Sequence, residues 1–357
     1  MTSYNSAKKQ GRVKCVVWDL DNTVWDGVLL EGDSLTLRAD VVSIIRRLDG
    51  MGILHSVASK NDHAVAMRQL EAFGIADLFL YPEIGWNAKS ASIRQIAAAF
   101  NIGLDAIAFV DDQDFERAEV AHALPQVTCV DVADLATAVK QAEFSPRFVT
   151  PESRQRRRMY QGQIARDSAE HEFAGTSEEF LASLGMVLTV GPARNEDLQR
   201  AEELTVRTNQ LNSTGRTYTY AELDQLSTSP DHLLLVASLT DRFGSYGAIG
   251  LALVEKGGYA WSLRLLLMSC RVVSRGVGTV LLNHVMGLAR DAQVRLQADL
   301  VETGRNRMMQ IAYGFAGFTK IRGDADQVVL EADLSAIQPC PPYVRLDIAG
   351  VTAEKTQ

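Results

Sequence analysis

Val13-Lys-Cys-Val-Val-Trp18-Asp19-Leu-Asp21-Asn-Thr23 is a short apolar run that stops abruptly at two carboxylates. A run of this length reads as a buried strand. Its C-terminal end is the edge at which open α/β sheets bind their ligands. Two carboxylates placed this close repel each other unless a cation or a shared proton compensates. The stretch therefore points to Mg²⁺, phosphate and an aspartyl nucleophile.

Working outward, strand-like runs alternate with amphipathic stretches as far as about residue 130. Residues 40–51 carry Val41, Val42, Ile44, Ile45 and Leu48 at helical spacing and end at Gly52. Residues 53–58 read as a strand, and 62–73 as a helix capped by Asn61 or Asp62 and stopped by Gly74. A short strand over 78–81, a helix over 89–100, a strand over 106–110, a helix over 114–122 and a strand over 127–130 follow. This alternation predicts a parallel, doubly wound sheet.

The 357 residues exceed most single cores, so two domains are expected. We place a tail at 1–12, the first domain at 13–145, a helical linker at 146–185, a second domain at 186–338 and a loosely packed tail at 339–357. The linker carries Arg154, Arg156, Arg157 and Arg158, which form either a solvated helix face or a contact for phosphate or an acidic partner. The net charge of −8 excludes nucleic acid as the main partner. Four cysteines without paired spacing indicate a reducing compartment, no disulfide framework and no zinc site. Residues 1–14 are polar and basic, so no signal peptide is expected. No segment is long and apolar enough to span a bilayer, and the expected location is cytoplasmic.

Phosphoryl transfer through an aspartate requires a nucleophile, an acid/base, donors to the phosphoryl oxygens and acids that hold a metal. Asp19 is the candidate nucleophile and Asp21 the acid/base. Ser59, in Val57-Ala-Ser59-Lys-Asn61, offers a hydroxyl to the phosphoryl group. Lys89, at a helix start, can neutralise developing charge. Asp111 and Asp112, in Phe109-Val-Asp111-Asp112-Gln-Asp-Phe-Glu116, supply metal-binding acids, with Glu116 supporting them from the next turn. Mg²⁺ favours such oxygen ligands. Each residue alone has a bland reading as a turn, cap or surface residue. Their order, each at a strand-to-helix junction, sets them apart.

This set resembles the haloacid dehalogenase-like (HAD) superfamily: Asp19-Leu-Asp21-Asn-Thr23 matches its first motif, Ser59 its second, Lys89 its third and Asp111-Asp112 its fourth. The resemblance implies a Rossmannoid fold and an acyl-phosphate on Asp19. It implies Mg²⁺ held by Asp19, the Asp21 backbone carbonyl and Asp112, with Asp111 beside the metal. The short gap from Thr23 to residue 40 leaves room for only a small cap, hence an open site.

The second half holds a different constellation. Residues 233–239, 246–255 and 259–268 read as strands, the last two joined as a hairpin by Lys256-Gly257-Gly258. Helices over 276–290 and 305–313 flank a strand over 297–301, and 317–320 turn into a last strand. Cys270 follows an apolar strand and precedes a glycine turn and a helix. It is either a small buried core residue or a thiol activated by Arg271 and the helix N-terminus. Cys15 and Cys129 fall inside strands and read as core. Arg207-Thr-Asn209-Gln-Leu-Asn212-Ser-Thr-Gly-Arg216 and Asp241-Arg242-Phe-Gly-Ser-Tyr-Gly247 are polar clusters. Each is either a capped loop or part of a pocket for a phosphorylated ligand, with Arg207, Asn209, Asn212 and Arg242 as its binding residues.

Ser274-Arg-Gly276-Val-Gly278 ahead of a helix, with Asn306 and Tyr313-Gly-Phe-Ala-Gly-Phe318, looks like a GNAT acyltransferase α+β fold, in which such a turn offers N–H groups to a pyrophosphate. Val273 stands where acetyl-CoA-binding relatives carry Arg or Gln, which suits recognition of a pantetheine thiol carried on a protein. The combined motifs Trp18-Asp-Leu-Asp-Asn-Thr-Val-Trp-Asp-Gly27, Arg207 to Asn212, Asp241-Arg-Phe-Gly244 and Met268-Ser-Cys-Arg271 are similar to the FkbH-like family of glyceryltransferase/phosphatases. Asn209-Gln-Leu-Asn212 replaces that family's Asn-Gln-Phe-Asn.

The resemblance implies D-1,3-bisphosphoglycerate as substrate, a glyceryl thioester on Cys270, phosphate removal at the Asp19/Mg²⁺ site with Thr23 and Ser59 near the phosphoryl group, and delivery to the phosphopantetheine thiol of an acyl carrier protein in polyketide-type biosynthesis. Two other readings stand beside it. One is a stand-alone Mg²⁺-dependent phosphatase with a structural GNAT-like domain. The other is a carrier-docking scaffold with a decayed site.

Overall fold

The computed structural model describes residues 12–349 except 147, 209, 210, 305, 325 and 326, and for Arg207, Cys270 and Ser274 the backbone alone. The chain divides into two compact units, residues 1–161 and 162–357. Among the described residues no helix is long and apolar enough to cross a membrane.

The first unit is built on β1 (Cys15–Trp18), β4 (Leu54–Ser59), β5 (Glu83–Ile84), β6 (Ile107–Asp111) and β7 (Thr128–Asp131), with β2 (Trp25–Asp26) and β3 (Thr36–Leu37) forming a small flap. Its helices are α1 (Ala39–Gly50), α2 (His63–Ala72), α3 (Lys89–Phe100), α4 (Asp114–Ala123), α5 (Leu135–Ala138) and α6 (Pro151–Arg154). The sheet order is β5-β4-β1-β6-β7, all parallel. β1 is wholly buried, as expected of a central strand covered on both faces. Its neighbours are β4 and β6, so Asp19, Ser59 and Asp111 emerge at three adjacent strand ends. Asp62, not Asn61, caps α2 by accepting from Val65 N at 2.9 Å. The strand expected over 78–81 is not one. Residues Ala76–Leu78 form a 3-10 turn, Tyr81 has φ +50°, and the strand comes later, at β5. Leu78, Phe79 and Leu80 are apolar because they are buried, which a four-residue run does not distinguish from strand.

The second unit begins within α7 (Arg156–Glu172), followed by α8 (Ser177–Ser183), β8 (Met186–Pro192), α9 (Asn195–Arg207), α10 (Tyr220–Thr228), β9 (His232–Asp241), β10 (Gly244–Glu255), β11 (Ala260–Met268), α11 (Val277–Asp291), β12 (Arg295–Val301), α12 (Arg307–Phe315), β13 (Phe318–Gly323), β14 (Gln327–Ala332) and β15 (Val344–Ile348). The eight strands form one mixed sheet, β13-β14-β12-β11-β10-β9-β8-β15. The α/β unit followed by an α+β unit matches the expected fold class, and the expected hairpin is the antiparallel pair β10/β11.

Two parts of the expected organisation need correction. The region 146–185 is not a separate linker. Arg156 and Arg157 belong to the first unit, donating to Gly52 O at 2.8 Å, Asp49 Oδ1 at 3.0 Å and Asp77 Oδ2 at 2.8 Å, while Arg154 and Arg158 are exposed. The described part of the C-terminal tail, as far as residue 349, is not loose either. β15 pairs in parallel with β8, Val344 opposite Met186.

Within the second unit, Arg166 of α7 donates to Asp241 Oδ2 at 2.7 Å and Oδ1 at 3.0 Å. Tyr246 Oη donates to the same carboxylate at 3.0 Å and its ring lies 3.8 Å under the guanidinium. Phe243 N donates to Oδ1 at 2.8 Å. Both charged side chains are buried, so removing one leaves the other unpaired. Asp241→Ala is expected to destabilise the protein by about 3–5 kcal/mol. Equilibrium urea unfolding of the full chain checks this; an unchanged midpoint would remove the pair as the anchor of the β9–β10 turn.

Candidate active site

The site lies at the C-terminal ends of β1, β4 and β6. Asp19 N donates to Val110 O at 2.9 Å, which fixes the chain as it leaves β1. Asn22 takes a left-handed φ of +53°, a conformation Asn tolerates better than most residues. The turn sends Thr23 back under the sheet edge, where it is fully buried.

Lys89 opens α3 and is only 3% exposed. Its ammonium forms an ion pair with Asp19, lies 3.3 Å from Asp111 Oδ2 and donates to Ala58 O at 2.7 Å. Burial works against its charge, but Asp19 and Asp111 outweigh that and hold its pKa above the usual lysine range. Burial pushes Asp19 up to about 6; Lys89 pulls it down and Asp111 adds to the rise. Asp111 and Asp112 are also raised, first by burial. Asp111 Oδ1 accepts from Gln113 N at 2.8 Å, and Asp112 Oδ1 accepts from Thr23 Oγ1 at 3.4 Å.

Asp19, Asp111 and Asp112 each present a carboxylate oxygen within 4.8 Å of the others. Three ionised carboxylates and one ammonium leave a local charge of −2, and buried Asp111 Oδ2 has the shared Lys89 ammonium at 3.3 Å as its polar neighbour among the described residues. A dication with oxygen preference fits that set in charge and donor type.

Asp21 is held apart from this cluster. Its Oδ1 accepts from Trp25 Nε1 at 2.8 Å and Leu29 N at 3.1 Å, both from the flap region. Its Oδ2 accepts from Asn61 Nδ2 at 3.0 Å. Ser59 is buried, and its Oγ accepts from the same Asn61 nitrogen at 3.2 Å. Thus Asp19, Asp111, Asp112, Lys89 and Thr23 come together, with Asp21 and Ser59 joined through Asn61. Glu116 does not support the acids as expected; it pairs with Lys60 at 2.6 Å. The contacts of Trp25 and Asn61 to Asp21 have no counterpart in the sequence pattern. Asn61 carries a signal only as a candidate helix cap, and Trp25 only as part of the motif over 18–27.

In the second unit the expected pocket residues fare differently. Asn209 lies outside the described residues, and of Arg207 only the backbone, ending α9, is described. Asn212 is 1% exposed and spent inside its own turn. Its Oδ1 accepts from Thr214 N at 3.1 Å and Gly215 N at 2.9 Å, and its Nδ2 donates to Arg216 O at 3.3 Å. Its carbonyl oxygen and one N–H of its amide are thus engaged within the chain's own turn. Arg242 is exposed on the β9–β10 turn, stacked 4.8 Å over Phe243.

Residues 211–213 fill the gap where two parallel strands separate. β11 pairs with β12 only over Ala260–Leu263. Beyond that, Ser213 N donates to Leu266 O at 2.9 Å, Met268 N to Leu211 O at 2.9 Å and Val301 N to Ser213 O at 2.9 Å. Buried Asn306 locks the insert by donating to Asn212 O at 3.0 Å and Val301 O at 2.8 Å. The diverging edges therefore bond to the chain itself, not to an extended ligand.

The backbone of Cys270 opens a 3-10 turn, Cys270–Arg275, between β11 and α11. Arg271 donates to Tyr246 O at 3.1 Å. Gly276 has φ +70°, and a Cβ there would meet Tyr343 Oη at 2.8 Å, so the C-terminal segment lies against this turn.

No protein-family pattern matches the chain, and no curated protein matches it in sequence. Among solved structures, the N-terminal phosphatase-containing part of a Bacteroides fragilis protein, crystallised with Mg, is similar over 40% of this chain at 26% identity and a TM-score of 0.36. This chain covers 43% of that one, less than half its length. The PaiA N-acetyltransferase of Thermoplasma acidophilum, in complex with coenzyme A, is similar over 41% of this chain and 98% of its own, at 14% identity and a TM-score of 0.33. The GNAT domain of S. lividans PAT is similar over 40% of this chain and 89% of its own, at 19% identity and a TM-score of 0.33.

Proposed function

We propose that the first unit is a Mg²⁺-dependent phosphatase working through an aspartyl-phosphate, and that the second performs acyl transfer for the same substrate. The observation that carries the first half is the buried Asp19–Lys89–Asp111 arrangement beside Asp112, with Asp21 held separately as a proton carrier. Asp19 attacks phosphorus, a P–O bond to Asp19 forms and the bond to the alkoxide breaks. Asp21 gives the alkoxide a proton, then takes one from the water that cleaves the aspartyl-phosphate. Ser59 donates to a phosphoryl oxygen and Lys89 balances charge on the nucleophile. Mg²⁺ held by Asp19, Asp111 and Asp112, with the Asp21 carbonyl implied by resemblance, would neutralise charge on the phosphoryl group.

The finer reading rests on the motif resemblance. The substrate is D-1,3-bisphosphoglycerate. The Cys270 thiolate attacks its acyl-phosphate carbonyl, a C–S bond forms and phosphate leaves. The remaining phosphate ester is removed at Asp19. The phosphopantetheine thiolate of an acyl carrier protein then displaces Cys270, exchanging one thioester for another, so positioning matters more than driving force.

Intact-mass spectrometry with substrate and carrier tests this. Cys270→Ala is expected to lose both the enzyme adduct and carrier loading; Asp19→Asn is expected to accumulate a phosphoglyceryl species. Normal loading by Cys270→Ala would overturn the covalent route. The filled gap between β11 and β12 favours a second reading, in which the second unit is structural and the chain is a phosphatase alone. That reading expects phosphate release that depends on neither Cys270 nor carrier.

A further inference from the structure

Asn61 is 1% exposed and sits between two groups of the phosphatase site. Its Nδ2 donates to Asp21 Oδ2 at 3.0 Å and to Ser59 Oγ at 3.2 Å, which uses both N–H bonds of the amide. The reverse orientation would set the amide oxygen against a carboxylate oxygen. Its Oδ1 is buried with no hydrogen-bond partner among the described residues. Burying an unpaired acceptor is costly, and such groups are uncommon in folded proteins. An apolar or smaller residue would avoid that cost, and α2 does not need Asn61, since Asp62 caps it.

The geometry points to Asn61 as a positioning residue that couples the acid/base Asp21 to the phosphoryl-binding Ser59. The inference rests on the phosphatase reading above. Each contact has its own consequence. Asp21 Oδ1 already accepts from Trp25 and Leu29. Oδ2, with a single donor, is the oxygen left to carry the proton, and Asn61 fixes where it points. Ser59 Oγ accepts from Asn61, so its hydroxyl hydrogen stays free to donate to the phosphoryl group. Without Asn61, Ser59 could donate to Asp21 instead, and both groups would be lost to the substrate.

A proton donor matters in proportion to how poorly the leaving group departs. The test compares 3-phosphoglycerate, an alkyl ester whose alkoxide needs a proton, with p-nitrophenyl phosphate, whose phenolate leaves without one. Asn61→Ala is expected to cost both esters a common few-fold loss through Ser59. It should cost the alkyl ester a further fall in kcat of about 10²-fold, the lower range for positioned acid catalysis. Asn61→Asp keeps the shape, loses the donor and should show the same selectivity if the Ala variant does not fold. In an Asp21→Asn background the extra loss should vanish, because the two residues act as one unit.

An equal loss on both esters, or an extra loss that persists without Asp21, would overturn the role. A wild type with no Mg²⁺-dependent turnover of either ester, indistinguishable from Asp19→Asn, would instead overturn the phosphatase reading and this inference with it.

Discussion

Asp19→Asn is expected to lower turnover of phosphate esters by on the order of 10⁴-fold, the scale seen when a member of a catalytic unit is removed. The amide keeps the shape of the carboxylate but cannot form the aspartyl-phosphate, and phosphate release measured with saturating Mg²⁺ reads the loss. The same change should make the metal-free protein more stable near neutral pH. Asp19 sits at about 6 in the fold against an ordinary carboxylate value of 3.8. The folded state therefore binds this proton more tightly than the unfolded chain. As pH rises from about 4 to 6 the metal-free fold loses stability, and above 6 the penalty is complete. A shift of about 2 units corresponds to about 3 kcal/mol from this carboxylate. Asp111 and Asp112 are raised as well and carry the same sign. Urea unfolding of metal-free protein at pH 5 and pH 7.5 should show wild type weaker at the higher pH, with Asp19→Asn losing part of that difference. Mg²⁺ should stabilise wild type more than the variant. A variant that keeps both turnover and pH slope would remove Asp19 from the centre of the site.

What the sequence discloses here follows from the distance over which each residue acts. Asp19, Ser59 and Asp111 are legible because apolar runs mark strands, and a parallel sheet lines up the residues at their ends. Lys89 is legible because α3 begins where the Ala-rich run over 89–100 is expected to start a helix. Contacts that need the third dimension are not. Nothing local says that Trp25 folds back onto Asp21, that Asn61 joins Asp21 to Ser59, or that Glu116 turns to Lys60. The polar stretch around Asn212 shows the converse. Its hydrogen-bonding side chains suggest a ligand pocket, yet those of Asn212 and Ser213 serve a turn wedged between β11 and β12. β15 escapes notice because the prolines before it read as a break, while its partner β8 lies more than 150 residues upstream.

Lys89→Met is expected to be the most damaging single change in the first unit. The ammonium lies between Asp19 and Asp111 in a pocket closed to water. A thioether of similar length keeps the volume but leaves the carboxylates without their cation. Losing one partner of a buried ion pair costs about 3–5 kcal/mol, chiefly because the remaining charge is stranded. The stranded carboxylates can recover only by binding a proton or a metal. The deficit against wild type should therefore be largest in metal-free protein at pH 8 and shrink at pH 5.5 or on adding Mg²⁺. Activity should not return with the stability: the group that balances charge on the nucleophile is gone, and kcat should remain about 10²–10³-fold down. Lys89→Arg should not rescue it, since the slot is closed and also carries a directed bond to Ala58 O that a forked guanidinium does not reproduce. Denaturant midpoints at the two pH values, with and without Mg²⁺, separate this account from a simple packing defect. A packing defect would cost the same under all four conditions, and that outcome would mean that Lys89 fills space without neutralising the acids.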